Sequence, residues 1–270
     1  MAVTTAVRRI GAGVIVAALI AAGVFVALSF RHRVAPLPSC AVTTDTATYT
    51  LDTDQAANAT TIAAVGRRLG LPDHAVTVAL ATALQESRLR NLSYGDRDSL
   101  GLFQQRPSQG WGTTTEILTP SYAAAAFFRA LTRVSGWATL PITDAAQKVQ
   151  ISGLPTAYAQ WESEARALAV ALTGEKENGI TCRFSLEKSH DPPPGVLGSM
   201  GNELGVSSLD ASFSTQKGWA VASWLVGHAR EFRITNVSFR GREWRASKGR
   251  WRSLTPNDNR IRFTQQAAAP

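Results

Sequence analysis

The sequence is short of nearly every residue type that announces a familiar chemistry. The two cysteines and four histidines are scattered along the 270 residues without zinc-ligand spacing, so no zinc centre is expected. The same two cysteines exclude a disulfide-framework miniprotein. No Gly-x-Ser-x-Gly elbow, His-Glu-x-x-His helix or Gly-x-x-x-x-Gly-Lys loop occurs. Those absences remove the commonest serine-hydrolase, zinc-protease and phosphate-loop chemistries. Neither cysteine has the neighbours of a cysteine peptidase, and no internal repeat is visible. After Phe30 there is no second apolar run long enough to span a bilayer. No metal and no cofactor are expected.

What is present is enough for a core: 44% of residues are hydrophobic and 8% aromatic, which excludes a fully disordered chain. The net charge of +8 is unevenly placed. Residues 1–39 carry +4, residues 40–204 carry −3 and residues 205–270 carry +7. A basic anchor and a basic tail therefore flank a mildly acidic middle.

Residues 10–30 hold no charge and lie between Arg9 and Arg31. At about 1.5 Å per residue they reach the thickness of a bilayer core, and the run is too long for the apolar part of a cleaved signal. An uncleaved signal anchor is favoured over a cleaved signal peptide. Arg31, His32 and Arg33 rival Arg8 and Arg9 under the positive-inside rule, so flanking charge leaves the orientation open. Cys40 and Cys182 bracket the middle segment. Paired, they close a long loop worth about 4–5 kcal/mol in the loop-entropy model and require an oxidising compartment. Two free buried thiols are the alternative.

Residues 1–33 read as a cytoplasmic tip with the transmembrane anchor, and 34–57 as an extended lead-in. A predominantly helical segment follows over 58–183. Ile62, Val65 and Leu69 share one helix face, and Gly70 ends that helix. Pro72 and Asp73 open a second helix with Val76, Leu80, Ala83 and Leu84 as its apolar stripe. A long polar loop spans 91–112, and further helices are expected at 121–134, 142–152 and 158–172. The Pro- and Gly-rich stretch 184–208 reads as a linker. Beyond it, 209–266 carries a helix over 217–232 and short strands at 234–239, 243–246, 251–254 and 261–264. Arg240-Gly241 and Lys248-Gly249 supply turns between those strands.

The chemistry concentrates in Ala83-Leu84-Gln85-Glu86-Ser87-Arg88-Leu89 and Tyr94-Gly95-Asp96-Arg97-Asp98-Ser99-Leu100-Gly101-Leu102-Phe103-Gln104-Gln105-Arg106-Pro107. Glu86 sits at the edge of the apolar stripe near a helix end. A partly desolvated carboxyl there suits a general acid acting on a glycosidic oxygen. The plainer alternative is a surface glutamate paired with Arg90 or Arg88.

Glu86-Ser87 with Ser99-x-Gly101-Leu102-Phe103-Gln104 resembles the Glu-Ser … Ser-x-Gly-Leu-Met/Phe-Gln signature of the lysozyme-like superfamily. Soluble lytic transglycosylases and goose-type lysozymes are closest in pattern, and the resemblance covers roughly residues 58–173. It implies that Glu86 is the catalytic acid and that the Gly-Leu-Phe-Gln loop lines a glycan groove. The family's third block, Ala-Tyr-Asn-x-Gly, is absent in that form; residues 145–150 and Ala157-Tyr158 occupy its place. The chain also resembles a membrane-anchored actinobacterial branch. Asp98 is the candidate second carboxylate, with Asp96 beside it, and both are equally readable as turn residues. The candidate substrate-binding set is Ser99, Gly101, Gln104, Gln105, Trp111, Gln147 and Tyr158. Tyr94 is a further stacking surface, and Gln150 shares a helix face with Gln147.

In the tail, ten Arg and Lys residues between 230 and 262 alternate with Phe239, Trp244, Trp251 and Phe263. Basic residues mixed with aromatics are how nucleic-acid binders look. An extracytoplasmic tail points instead to an anionic wall polymer or lipid headgroups.

The expected fold class is a mainly α lysozyme-like domain (of an α+β superfamily) after one N-terminal transmembrane helix, followed by a small α+β C-terminal domain. The expected function is cleavage of peptidoglycan glycan strands by a membrane-anchored, extracytoplasmic enzyme, either a lytic transglycosylase or a muramidase. Its partners would be the glycan strands, the cytoplasmic membrane and an anionic wall polymer, with nucleic acid disfavoured. The alternative is a catalytically idle domain that binds glycan or scaffolds an envelope assembly.

Overall fold

The computed structural model describes residues 37–255 and 257–270. The expected transmembrane segment, 10–30, and the tip before it lie outside the described residues. Among the described residues no helix is long and apolar enough to cross a membrane.

The expected lead-in holds two strands. Cys40 and Val42 point inward from β1 (Ser39–Thr43), which pairs antiparallel with β2 (Thr48–Leu51). The other edge of β1 takes β3 (Ile180–Arg183), giving the order β2-β1-β3. Cys40 lies opposite Cys182 in that register, and the two form the expected disulfide.

Helix α1 (Thr53–Arg68) starts at a capping box. Asp52 accepts from the backbone of Asp54 and Gln55, while the Gln55 side chain accepts from the Asp52 N–H. Helix α2 (Asp73–Ser87) follows the Gly70–Pro72 break. Every residue from Ala75 to Leu84 is buried, so α2 is the central helix. Its alanines at 75, 79, 81 and 83 let neighbours approach. The hydroxyls of Thr77 and Thr82 donate back to the helix's own carbonyls, so they are buried without cost.

Around α2 pack α1, α4 (Pro120–Leu131), α5 (Ile142–Gln150) and α6 (Glu162–Leu172), with the short α3 (Thr114–Ile117) against α4. Two more helices follow, α7 (Val196–Leu204) and α8 (Thr215–Gly227). A second antiparallel sheet is built from β4 (Ile234–Phe239), β5 (Arg242–Arg245), β6 (Arg250–Ser253) and β7 (Arg262–Gln265), in the order β6-β5-β4-β7.

The expected fold class is overturned. Instead of a mainly α domain trailed by a separate small one, the described residues form eight α-helices and seven strands in two antiparallel sheets. Pro38–Pro270 is one unit with one continuous core. Three features close the gap that Pro and Gly content had suggested. First, α7 lies inside the expected linker and buries Val196 and Met200, with α1 as its neighbour. Second, the indoles of Trp244 and Trp251 donate to the carbonyls of Cys182 (2.9 Å) and Ile180 (2.8 Å), tying the second sheet to the first. Third, Gly227 of α8 meets α1 so closely that a Cβ there would lie 2.1 Å from Thr60 Oγ1.

Candidate active site

Glu86 occupies the last turn of α2 and is half-buried. The helix ends in an unusual way: both Arg88 and Leu89 have positive φ, 56° and 60°, which non-glycine residues rarely adopt. The turn is held from inside by Arg88 N–H to Leu84 and Leu89 N–H to Ala83, both 3.1 Å. It is held from outside by α1, whose Gln55 and Asn58 amides donate to the carbonyls of Arg88 and Leu89, each at 2.8 Å. Leu89 is fully buried, which fixes the exit of the chain.

The two sequence blocks meet at this helix end. Ser87 Oγ lies 2.8 Å from the Leu102 carbonyl, joining Glu-Ser directly to the Gly-Leu-Phe-Gln loop. That loop closes on itself through the Leu100–Gln105 bridge. Gly101 has φ +73°, and a Cβ there would lie 2.7 Å from the Ile117 carbonyl, so the position demands glycine. From α5, Gln150 Nε2 donates to the Phe103 carbonyl at 2.9 Å.

The Tyr158 hydroxyl donates to Glu86 Oε1 at 2.8 Å. Tyr158 is fully buried; burial first, then the charge and hydrogen bond of Glu86, push its phenol pKa far up, with Ser152 acting the other way. The phenol therefore stays protonated as a donor. Neither arginine of the plainer reading pairs with Glu86. Arg90 binds Asp52 at 2.6 Å, and the Arg88 guanidinium lies 3.9 Å above the Trp161 ring. Glu86 forms no ion pair among the described residues. Beside it, Gln85 Oε1 accepts from Trp161 Nε1 (2.8 Å) and Gln160 Nε2 (3.1 Å).

The remaining expected residues divide into two groups. Gln104 is half-buried at the loop tip, with φ 49° and Nε2 on the Gly101 carbonyl at 3.2 Å. Gln147 donates to the Ser152 carbonyl at 2.8 Å, and its Oε1 is buried without a protein partner. Trp111 is half-buried against the core, and Tyr94 is exposed. By contrast, Ser99 and Gln105 are buried, Gln105 donating to the Ala123 carbonyl at 3.2 Å; both build the loop. Tyr158 likewise serves Glu86 and offers no open stacking face.

Asp98 is occupied. Its carboxylate takes Arg106 Nε (2.7 Å), Ser108 N–H (2.8 Å) and Ser108 Oγ (3.0 Å). The Arg106 bond first, then Ser108, hold its pKa well below the usual carboxylate range. No hydrogen bond among the described residues joins it to Glu86. Asp96 is exposed beside Arg97.

The sequence pattern gave no sign of Ser152 as a neighbour of Tyr158, nor of Trp161 as the partner of both Gln85 and Arg88. Nor did it point to Glu164, a half-buried carboxyl on α6 whose pKa burial raises and nearby Arg88 partly restores. A cavity of about 690 Å³ contains none of the expected site residues; Thr53, Asn58, Arg90, Arg230 and Glu231 are among its walls. Size alone favours it, but the hydrogen-bonding around Glu86 is the arrangement suited to proton transfer.

No protein-family model matches the chain, and no curated protein matches it either.

Proposed function

We propose that the chain cleaves peptidoglycan glycan strands at the β-1,4 bond between N-acetylmuramic acid and N-acetylglucosamine, with Glu86 as general acid. The observation that carries this reading is the half-buried Glu86 carboxyl, given a buried phenol and no cation, joined through Ser87 to the Gly-Leu-Phe-Gln loop. The sequence resemblance of those two blocks supports the substrate class.

Glu86 gives its proton to the bridging oxygen as the bond to C1 of the muramic acid breaks. The substrate's acetamido group steadies the charge that develops at C1. The 6-hydroxyl then closes on C1, and its proton passes to the Glu86 carboxylate, which restores the acid. No water is consumed, and the product ends in a 1,6-anhydro ring. This intramolecular course is preferred to hydrolysis because Asp98, the candidate second carboxylate, has its oxygens taken by Arg106 and Ser108. Gln104, half-buried at the loop tip, is the polar group assigned to the sugar.

The same reading puts the described residues on the outer side of the cytoplasmic membrane, anchored by 10–30. The Cys40–Cys182 bridge supports an oxidising compartment. Digestion of purified peptidoglycan by the wild type and Glu86→Gln tests the proposal. A loss of about 100-fold or more in muropeptide release is expected. Equal release by both proteins would sink the assignment, and reducing ends in place of 1,6-anhydro ends would make the enzyme a hydrolase.

A further inference from the structure

The second sheet turns its aromatics away from its charges. In the strand register, Arg245 lies opposite Arg250 and Glu243 opposite Arg252, so all four share one face of the β5–β6 pair. Across β4, Arg262 continues that face beyond Ser238, and Lys248 stands in the β5–β6 turn. The other face carries Val237, Trp244, Trp251 and Phe263, packed on the core beneath α8. Trp251 meets Trp219 edge-on and spends its N–H on the Ile180 carbonyl. The basic-plus-aromatic pattern of the sequence is thus two faces of one sheet.

The basic face is built rather than merely solvated. Glu243, 5% exposed, receives Arg245 Nε at 2.8 Å and Arg252 Nε at 2.7 Å, while both guanidinium side chains remain about half exposed, 47% and 51%. Each keeps further N–H donors directed at solvent, already oriented. Arg245, Lys248, Arg250, Trp251 and Arg252 line a depression of about 300 Å³. Opposed strands set these charges about 5 Å apart across the sheet, and alternate residues set them about 7 Å apart along it.

We propose that this face binds a linear polyol phosphodiester, a polyanion without bases. Phosphate charges are attracted by this row of half-exposed cationic side chains. Binding of bases calls for exposed aromatic platforms, and insertion into lipid calls for exposed apolar side chains. The exposed large hydrophobic residues described are Leu37, Leu69, Tyr94, Ile151, Leu154 and Leu197, none of them on this sheet. Trp251 lines the depression but is half-buried against Trp219 with its N–H spent, so charge is the main determinant of the occupant.

Retention of the full chain on immobilised poly(glycerol phosphate) tests this, with a 20-mer of thymidylate and phosphatidylglycerol vesicles as competitors. Lys248→Gln/Arg250→Gln/Arg252→Gln should lose at least about tenfold in affinity, and its log–log salt slope should fall by about 2. Arg250→Lys/Arg252→Lys should stay within about threefold of wild type, which separates loss of charge from loss of fold. Unchanged affinity in the triple variant, or equal losses in both, overturns the proposal. Tighter binding to the thymidylate or to the vesicles overturns it as well. Glu86→Gln should bind as the wild type does, so a failed glycan-cleavage reading leaves this result standing.

Discussion

Glu86 and Glu243 are both withdrawn from water, yet the chain surrounds them in opposite ways. Burial by itself would raise the pKa of Glu243; the hydrogen bonds from Arg245 and Arg252 outweigh it and hold the carboxyl below its ordinary value. Glu86 is given a buried phenol instead, and the arginines nearest in sequence are diverted to Asp52 and to Trp161. A carboxylate clamped by guanidiniums serves as an anchor, and Asp98 with Arg106 repeats that pattern. A carboxyl without a resident cation is left available for proton transfer. The difference separates structural acids from the candidate catalytic one on grounds that sequence position cannot supply.

The sharpest way to break this division is to remove the clamp. Glu243→Gln should cost roughly 1–2 kcal/mol by urea denaturation, since two charge-assisted hydrogen-bond sets weaken while the half-exposed arginines return to water. Glycan cleavage should be unaffected. If cleavage falls with it, the two regions are coupled and the division fails. Next in size, Tyr158→Phe removes the one donor that the described residues hold on Glu86. It should lower kcat about tenfold with little change in KM, near 1.4 kcal/mol of transition-state stabilisation. A changed KM with unchanged kcat would make Tyr158 a sugar contact instead of a positioning residue. Smaller still, Asp98→Asn should leave kcat within about threefold, because its ion pair organises a surface loop. An inactive but folded Asp98→Asn would make Asp98 the second carboxylate and the reaction a hydrolysis.

Much of this was legible before the fold was known. The Cys40–Cys182 pairing follows from there being only two cysteines to pair, and the Gly70–Pro72 break and the helix through Val76, Leu80 and Leu84 follow from local rules. So does the Arg240-Gly241 turn, where both residues take positive φ, 46° and 67°, as a tight hairpin requires. Other elements gave no local signal. β1 and β2 lie in a Thr-rich stretch where only alternate positions are buried, too few to register as a period. The α7 helix carries Gly198 and Gly201 behind a proline run, a composition that reads as linker until α1 covers Val196 and Met200. Around Glu86 the missing partners were long-range: Tyr158 lies 72 residues away, and Gln150 reaches across 47 residues to Phe103. One tyrosine or amide among many has no mark in sequence that says which carboxyl or carbonyl it will meet.

A third treatment of acids appears at the other end of α2, and it yields the smallest expected effect. Asp73 opens the helix with Oδ1 buried, and Glu175 lies beside it. The Asp73 hydrogen bond, then burial and Asp73's charge, push Glu175 up from 4.5 to about 7, against the pull of Arg67. Glu175 thus keeps its proton toward neutral pH beside Asp73, where Glu243 has two arginines instead. Between pH 4.5 and about 7 the folded chain holds this proton after the unfolded chain has released it. Stability therefore declines as pH rises through that window, and the contribution is gone above it. Glu175→Gln keeps a donor for Asp73 without a titrating group. Thermal unfolding followed from pH 4.5 to 8 should show a shallower decline in the variant, with Tm above wild type at pH 8. Parallel curves for the two proteins would mean that the surroundings do not hold the Glu175 proton, and the acids would then divide only into those with a cation and those without.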